Sequence, residues 1–287
     1  MQQHNLPVLP EPEVMEAELR HKLPQFSTLE WVEHTDSTNA DLMQRTHTDE
    51  ATRLMPWLRG AHHQRAGRGR AGRTWQNRRG AHLMFSCAFD FFLPPRDLPA
   101  LSPLAGLWTC QALRTFLQPE HQSLLTVKWP NDVLWKNAKL AGILVEATRA
   151  GTARLSTDHH IVVIGTGINL SDARSLSTSL SRQVADWSEV SAEDTLAGHT
   201  PCSSLVAHVV QHWYNGLNRL ISHGLADLPQ QFATADGLLG QSVAITHNEQ
   251  TLHYGTACGV NTYGQLILRS AEGEQAISVG EVSVRPR

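Results

Sequence analysis

The segment QRAGRGRAGRTW, residues 64–75, decides which class of fold the chain can adopt. Its glycines Gly67, Gly69 and Gly72 match the spacing G-x-G-x-x-G, which in a dinucleotide-binding fold lies between an apolar strand and a helix. The preceding RGAHHQ is poor in β-branched residues, and the following RTWQNRRG has no helical period of apolar residues. The sequence therefore argues against that fold and predicts a flexible loop whose backbone can approach a ligand closely.

Arginine dominates the charge of the same segment. Arg65, Arg68, Arg70 and Arg73 stand in it without an intervening acidic residue, and guanidinium groups form paired hydrogen bonds with phosphate or carboxylate. The net charge of the whole chain is −3, so the positive charge is local and predicts an anionic ligand. A nucleic-acid-binding arm is the weaker interpretation, because the chain has no overall positive charge and the motif lacks repeats and interleaved aromatic residues.

Composition indicates a globular protein of about two domains. The 287 residues are 41% hydrophobic, which is enough for a sizeable core. The four cysteines form no C-x-x-C pair, the N-terminus lacks the apolar core of a signal peptide, and no apolar run approaches the ~20 residues of a membrane span. We therefore expect a reduced, cytoplasmic protein without a membrane anchor, with residues 1–11 as a loose terminus.

The residue pattern predicts mixed helices and strands in the first part of the chain. Pro12 opens a short helix, and DSTN at 36–39 places cap-type residues at a turn between a strand and a helix, where backbone N–H groups are free for a ligand. The other elements predicted before residue 171 are strands at 28–35, 82–89, 126–135, 139–148 and 159–170 and a helix at 97–117.

The character of the sequence changes near Gly237. Residues 171–200 are predicted to be a connection rich in Ser and Asp, and two helices come after it that end at Gly224 and Gly237. Beyond this point short alternating strands are typical of a small β-barrel. The predicted turns of this part lie at 247–248, 261–264 and 272–273.

A lysine and a proline mark a candidate site in KWPNDVLWKNAKLAGILVEA, residues 128–147. Lys139 stands in a small apolar stretch; since lysines are mostly solvated, a surface position at a hairpin end is the alternative interpretation. Pro130 interrupts the strand ladder, which predicts a bend that directs Asn131 and Asp132 towards a ligand. Asn169 comes at the end of a buried strand and is predicted to point outward at the end of the sheet.

The motifs DSTN, QRAGRGRAGRTW, KWPNDVLWKNAKLAGIL and GTGIN resemble, in this order, those of biotin protein ligases. The resemblance covers about residues 27–170, and VGEVSVR near the C-terminus resembles the closing strand of that family's small SH3-like domain. It implies an α+β fold, a mixed β-sheet with flanking helices like that of class II synthetases, followed by an SH3-like β-barrel. We assign the catalytic domain to residues 1–237 and the barrel to residues 238–287.

The resemblance also implies a two-step reaction. Biotin and MgATP give biotinyl-5′-AMP and pyrophosphate, and a lysine of the biotin carboxyl carrier protein of acetyl-CoA carboxylase, or of a related carboxylase, then takes the biotinyl group. Some family members are also repressors through an N-terminal helix-turn-helix. Only 35 residues precede DSTN here, so we expect a monofunctional ligase that binds no DNA. A lipoate or octanoyl ligase or transferase of related fold is the alternative.

Site residues follow from the resemblance position by position. The positions that match the family's biotin contacts are Ser37, Thr38, Asn39, Gln64, Arg68, Gly69, Arg70 and Lys139. The positions that match its nucleotide contacts are Arg70, Arg73, Trp75, Lys128, Asn131 and Asn169.

Three of these positions are predicted to be catalytic. Lys139 and Arg68 are expected to stabilise the charge that develops in adenylate formation, and Asp132 is expected to accept or orient the proton of the incoming amine. Mg²⁺ is expected through the ATP phosphates, with its protein ligands left open. Ala71 stands where many family members have another arginine, which bears on how firmly the intermediate is retained.

A zinc site is the alternative interpretation of the histidines. His208 and His212 are four residues apart on a predicted helix, but Val209 stands where the HExxH motif has glutamate. Metal binding by this pair is therefore the weaker hypothesis.

Overall fold

The computed structural model describes residues 8–47, 54–150, 156–247, 250–279 and 283–286, which form both helices and strands. The helices in this part are α1 (Pro12–Lys22), α2 (Thr38–Arg45), α3 (Leu101–Arg114), α4 (Ala173–Leu180), α5 (Trp187–Glu193), α6 (Thr195–Gly198), α7 (Cys202–His223) and α8 (Leu228–Ala233). The strands are β1 (Thr28–Thr35), β2 (Trp57–Gln64), β3 (His82–Phe92), β4 (Leu125–Lys128), β5 (Asp132–Trp135), β6 (Ala138–Arg149), β7 (His159–Asn169), β8 (Ser242–His247), β9 (Gln250–Val260), β10 (Leu266–Ser270), β11 (Gly273–Ile277) and β12 (Ser283–Pro286).

The first seven strands form one mixed sheet in the order β1-β2-β3-β7-β6-β5-β4. β1 and β2 are parallel, and the other neighbouring pairs are antiparallel. A two-residue turn, Lys136 and Asn137, joins β5 to β6, and both residues have a positive φ, as the twist of a tight hairpin favours. This hairpin places Lys139 on β6 close to Asp132 at the start of β5.

The two faces of this sheet have different partners. Cys87 on β3 and Ile164 on β7 are paired and belong to the core that α1, α3 and α7 cover. Their neighbours Ala88 and Val163 point to the opposite face and pack against Leu42 of α2. Because α2 covers only part of that second face, the remainder is available for a ligand.

The last five strands form an antiparallel sheet in the order β11-β10-β9-β8-β12. A hydrogen bond ties it to the larger sheet, since Trp129 Nε1 donates to the carbonyl of Gly264 (2.9 Å). The predicted turn at 261–264 is confirmed by the hydrogen bond from the Gly264 N–H to the Asn261 carbonyl (3.0 Å). Asn248 of the first predicted turn and residues 280–282 of VGEVSVR lie outside the described residues.

Two local features were not predicted from the sequence. The residues RGAHHQ belong to β2, a largely buried strand inside the sheet, because packing there overrides weak β-propensity. A dinucleotide-binding fold is instead excluded by the single 3₁₀ turn at Arg70–Gly72, where that fold would begin a helix. The connection at 171–200 contains α4, α5 and α6. These helices are too short to show a helical period of apolar residues in the sequence.

The N-terminus also departs from the prediction where it is described. His62 Nε2 lies 2.8 Å from the Pro10 carbonyl, and the Cys202 thiol donates to the Val8 carbonyl (3.6 Å). Residues 8–11 are therefore docked on the body of the protein, and residues 1–7 lie outside the described residues.

Candidate active site

Glycines form the floor of a site on the second face of the large sheet. Gly142 on β6 pairs with Gly167 on β7, and Gly165 lies two residues along the same strand. A Cβ atom on Gly165 would overlap the side chain of Asn39, and one on Gly167 would overlap the indole of Trp75. The glycines of GTGIN therefore allow these two side chains to lie directly on the sheet.

The turn between β1 and α2 supplies buried polar groups above this floor. Ser37 caps α2 by accepting a hydrogen bond from the Ala40 N–H (3.4 Å). The Thr38 N–H donates to Oε1 of Gln64 at the end of β2 (2.8 Å). Ser37, Thr38, Asn39 and Gln64 are all buried. The structure thus brings together four of the predicted biotin positions, and their side chains are uncharged.

A chain of hydrogen bonds leads from Thr38 to an acidic residue that the sequence analysis missed. Thr38 Oγ1 lies 2.7 Å from Ser86 Oγ, which donates to Asn39 Oδ1 (2.5 Å). Asn39 Nδ2 donates to Glu146 Oε2 (3.0 Å), and Glu146 Oε1 lies 3.0 Å from Arg68 Nη2. A signal was present, because Ser86 interrupts the apolar residues of LMFSCAF and Glu146 directly follows the apolar run LAGILV.

The arginine-rich loop between β2 and β3 is folded back on itself. The Gly69 N–H donates to the Arg73 carbonyl (2.7 Å), and the Trp75 N–H donates to the Gly67 carbonyl (2.8 Å). Ala71 at the tip has a φ of 53°, a conformation that costs a non-glycine residue some strain. The loop is thus closed by its own backbone, and its arginine side chains are directed to different partners.

Arg70 connects this loop to the turn between β4 and β5. Its Nη1 donates to Asn131 Oδ1 (3.0 Å), while Asn131 Nδ2 donates to a carbonyl of β6 (2.6 Å). Burial lowers the pKa of Arg70, and the nearby Asp132 carboxylate opposes that shift. Arg70 therefore belongs to the Asp132 end of the site, whereas Arg68 is paired with Glu146.

Lys139 and Asp132 form a close ion pair on the same floor. Lys139 Nζ lies 2.5 Å from Asp132 Oδ1, with the two side chains 15% and 21% exposed, so Lys139 is not the solvated surface lysine of the alternative interpretation. Nζ also lies 5.5 Å from the centroid of the Trp75 ring, within cation–π range. Burial alone would raise the pKa of Asp132, but the Lys139 ammonium, with Lys128 and Arg182 further off, holds it below its ordinary value.

Further positive charge surrounds this pair. Burial lowers the pKa of Lys128; Asp132 opposes the shift, and Lys139 and Arg182 add to it. Arg182 comes after α4 and was not selected from the sequence, because nothing in the residues around it indicates that the connection returns to the site. Together with Arg70 these cations make one end of the site suitable for several negative charges.

A cleft opens beside Lys139 and continues towards α4. Trp75 and Arg182 line it together with the apolar side chains of Leu176 and Leu180. Trp75 Nε1 is buried and has no hydrogen-bond partner among the described residues. The cleft thus combines an aromatic surface, apolar side chains and cations, which is a suitable environment for a nucleotide.

The prediction that Asn169 points outward is wrong. Its side chain is buried, and Nδ2 donates to the carbonyls of Lys139 (3.1 Å) and Ala185 (2.9 Å). The residue therefore ties the start of β6 to the segment before α5, because a buried amide at a strand end satisfies backbone carbonyls that would otherwise lack donors.

Sequence comparisons agree with these motifs. A family model described as "Biotin/lipoate A/B protein ligase family" matches residues 31–169, and one described as "Biotin protein ligase C terminal domain" matches residues 238–285. The biotin–[acetyl-CoA-carboxylase] ligase of Paracoccus denitrificans is 31% identical over 264 residues, covering 86% of this chain and 97% of the relative. The chain belongs to the biotin protein ligase family. The bifunctional ligase/repressor BirA of Salmonella typhimurium is 28% identical over 280 residues, covering 96% of this ligase and 81% of the relative.

Solved structures show the same fold. A biotin protein ligase from Aquifex aeolicus, in complex with biotin and ATP, superimposes with a TM-score of 0.69 and 24% identity, covering 91% of this ligase and all of that chain. The mixed sheet with flanking helices and the C-terminal antiparallel sheet are therefore those of the biotin protein ligase fold. No described helix of this ligase combines the length and apolarity that crossing a bilayer requires.

The histidine pair on α7 has other contacts. The His208 ring packs against Phe116 in a tilted arrangement, with ring centroids 4.5 Å apart, and His208 Nδ1 lies 3.2 Å from Thr115 Oγ1. His212 Nδ1 lies 2.8 Å from the His208 carbonyl. These contacts pack one surface of α7 against the end of α3 and do not direct the two rings at a common point.

Proposed function

We propose that this ligase joins biotin to a lysine of a carrier protein in two steps, through biotinyl-5′-AMP made from ATP. The observation that carries the proposal is the division of one site into a neutral and a cationic end. Lys139 lies against Gly142, and Glu146, which contacts Asn39, lies four residues further along β6, about 13 Å at ~3.3 Å per residue. A neutral ureido ring suits one end, and a carboxylate with phosphates suits the other.

The first step forms a bond between the biotin carboxylate and the α-phosphorus of ATP, while the bond to pyrophosphate breaks. The two reactants repel each other, and negative charge gathers on phosphate oxygens. Lys139 has three N–H donors, of which Asp132 occupies one, so the others can reach the carboxylate and an α-phosphate oxygen. Arg70 and Lys128 add charge at the same end, whereas Arg68 would have to leave Glu146 to take its predicted catalytic part.

In the second step, the amine of the carrier lysine attacks the acyl carbon, and AMP leaves with the bonding electrons. The lysine ammonium must first give a proton to solvent to become a nucleophile. The lowered pKa of Asp132 keeps the carboxylate ionised at neutral pH, which makes it a weak base but a good hydrogen-bond acceptor. Its role in the proposal is therefore to orient the amine rather than to hold the proton.

Magnesium fits this site as a partner of the phosphates. Mg²⁺ usually binds through one or two carboxylates together with substrate phosphates. The described residues contain no cluster of three or more His, Cys, Asp or Glu side chains able to hold a metal, and Asp132 is the carboxylate at the cationic end. Asp132 would hold the ion, which would neutralise charge on the departing pyrophosphate.

The neutral end argues for biotin over lipoate or octanoate. Thr38, Asn39 and Gln64 offer buried hydrogen-bonding groups. A site of this kind rejects a ligand that lacks complementary polar groups, because binding that ligand would leave the site's own groups without partners. The test is biotin-dependent exchange of labelled pyrophosphate into ATP. We expect exchange with biotin and little with lipoate or octanoate, whereas equal exchange with all three acids would contradict the assignment. The carrier we propose is the biotin carboxyl carrier protein of acetyl-CoA carboxylase or of a related carboxylase.

A further inference from the structure

Glu146 stands at the neutral end of the site and contacts two other elements. It lies on β6, a central strand of the sheet, with its side chain 22% exposed. Oε2 accepts from Asn39 on α2 (3.0 Å), and Oε1 lies 3.0 Å from Arg68 on the loop between β2 and β3. One carboxylate on a rigid strand therefore joins the two segments that carry most of the predicted biotin positions.

The carboxylate fixes which way the Asn39 amide faces. An ionised carboxylate accepts hydrogen bonds and donates none, so the NH₂ group of Asn39 must face Glu146 and Oδ1 must face Ser86. Ser86 Oγ then donates its single hydrogen to Asn39 Oδ1 (2.5 Å). With that hydrogen used, Thr38 Oγ1, 2.7 Å away, must be the donor in its contact with Ser86.

The direction of this chain determines what the pocket offers a ligand. The Ser86 hydroxyl hydrogen points to Asn39. The single Thr38 hydroxyl hydrogen points mainly to Ser86 Oγ (2.7 Å), with Gln64 Oε1 at a longer 3.2 Å sharing that hydrogen. The remaining lone pairs of the two hydroxyls are acceptors, and a ureido ring presents N–H donors. We propose that Glu146 is a positioning residue that sets the hydrogen-bond polarity of the biotin-ring pocket and so contributes to selection of biotin; this inference rests on the proposed function.

Glu146→Gln is the direct test, because it keeps the shape but supplies an NH₂ group. The new amide can donate to Asn39, which allows the Asn39 amide to turn over and the chain to reverse. We expect the KM for biotin to rise about tenfold, the scale of a charge-assisted hydrogen bond, while kcat at saturating biotin and the KM for ATP stay within about twofold. A fall in the KM for biotin, a lowered kcat with unchanged KM, or equal changes for both substrates would overturn the proposal.

A double-mutant cycle separates polarity from a general loosening of the site. If Glu146 acts through the Asn39 amide, Glu146→Gln should change the biotin KM much less in an Asn39→Ala background, whereas additive effects would count against the chain. Glu33→Gln on β1, which removes one of the two acidic partners of Arg79 at the surface, is the matched control and should leave all three parameters unchanged.

Two further measurements keep the test decisive. A second variant is used if Glu146→Gln does not fold, and the wild-type protein shows whether the proposed function itself holds. If Glu146→Gln does not fold by circular dichroism, Ser86→Ala interrupts the same chain and should raise the biotin KM without changing kcat; an unchanged KM would then overturn the proposal. If the wild-type protein neither binds biotin nor forms the adenylate, the proposed function is wrong. If the wild-type protein does both and Glu146→Gln matches it, only the role of Glu146 is wrong.

Discussion

Lys139 illustrates how a single side chain gains a function from its surroundings. Its ammonium is held between the Asp132 carboxylate (2.5 Å) and the face of Trp75 (5.5 Å to the centroid), on a strand where Gly142 leaves space for it. Because the Lys139 side chain is largely buried, its charge is only partly screened by water and acts strongly on a nearby anion. Lys139 is therefore the preorganised cation that we propose for the carboxylate and the α-phosphate.

Lys139→Ala should lower the rate of adenylate formation by a factor of roughly 10² to 10³, the range for removing one preorganised transition-state donor. Biotin-dependent pyrophosphate release measures this rate. Lys136→Ala is the matched control, since Lys136 lies in the adjacent turn and is paired with Glu193 at the surface. Near-normal release by Lys139→Ala in a folded protein would remove Lys139 from the mechanism.

The lowered pKa of Lys128 predicts a pH effect. A lysine attracts phosphate only while it is protonated, and burial brings the pKa of Lys128 below 10.5, so the Lys128 charge is lost earlier than usual as the pH rises. Lys128→Arg keeps the charge to higher pH. We expect the alkaline fall of kcat/KM for ATP to begin at a lower pH in the wild type than in Lys128→Arg. Coincident pH profiles would mean that Lys128 does not contact the nucleotide.

At the scale of the element, the loop between β2 and β3 connects the two ends of the site. Arg68 reaches Glu146, and Arg70 reaches Asn131, while the backbone bonds of Gly67 and Gly69 hold the loop together. A loop fixed by a few side-chain contacts can open for the substrates and close over the adenylate, which protects the mixed anhydride from water.

Arg70→Gly should release the loop from the turn between β4 and β5 and let biotinyl-5′-AMP escape. The escaped adenylate should label lysines of an unrelated protein such as albumin, and mass spectrometry of that protein measures the effect. Arg65→Gly is the control within the same loop, because Arg65 is exposed and its acidic partner Asp36 is 4.0 Å away. Labelling of the carrier alone by Arg70→Gly would show that Arg70 does not retain the intermediate.

The local structures that were predicted correctly from the sequence depend only on neighbouring residues. The cap of α2 at Ser37 and the turn after Pro130 follow from the chemistry of neighbouring residues, and both are found. The strand β2 was missed because it forms by pairing with other strands of the sheet. The charge of Glu146 in an apolar strand was visible, but its role depends on Asn39 and Arg68, which lie far earlier in the chain. Asn169 was predicted at the correct strand end, but its side chain points inward rather than outward. Its partner Ala185 lies in a segment whose sequence shows no helical or strand pattern, so the contact could not be predicted.

At the scale of the whole molecule, the C-terminal sheet packs against the elements that carry the cationic end. Trp129 Nε1 donates to the Gly264 carbonyl (2.9 Å), next to the turn that holds Asn131 and Asp132. Gly264 has a φ of 71°, and a Cβ atom there would lie 2.8 Å from Ala100, so the contact requires glycine. The two sheets therefore meet close to the proposed phosphate positions.

Removal of residues 238–287 should separate the two ends of the site. The neutral end is built by β1, α2, β2, β3 and β6, so we expect biotin binding to persist in calorimetry on a monodisperse truncate. Carrier biotinylation should fall steeply, because the support for the cationic end is lost. Full transfer activity by the truncate would show that the C-terminal sheet takes no part in the reaction.

The central claim is that one site makes biotinyl-5′-AMP and passes biotin to a carrier lysine. The most direct test is mass spectrometry of a purified biotin carboxyl carrier domain after incubation with the wild-type protein, biotin, ATP and Mg²⁺. We predict a mass increase of one biotinyl group on a single lysine, absent without ATP and strongly reduced with Lys139→Ala. An unmodified carrier, or modification that proceeds equally well without ATP, would contradict it.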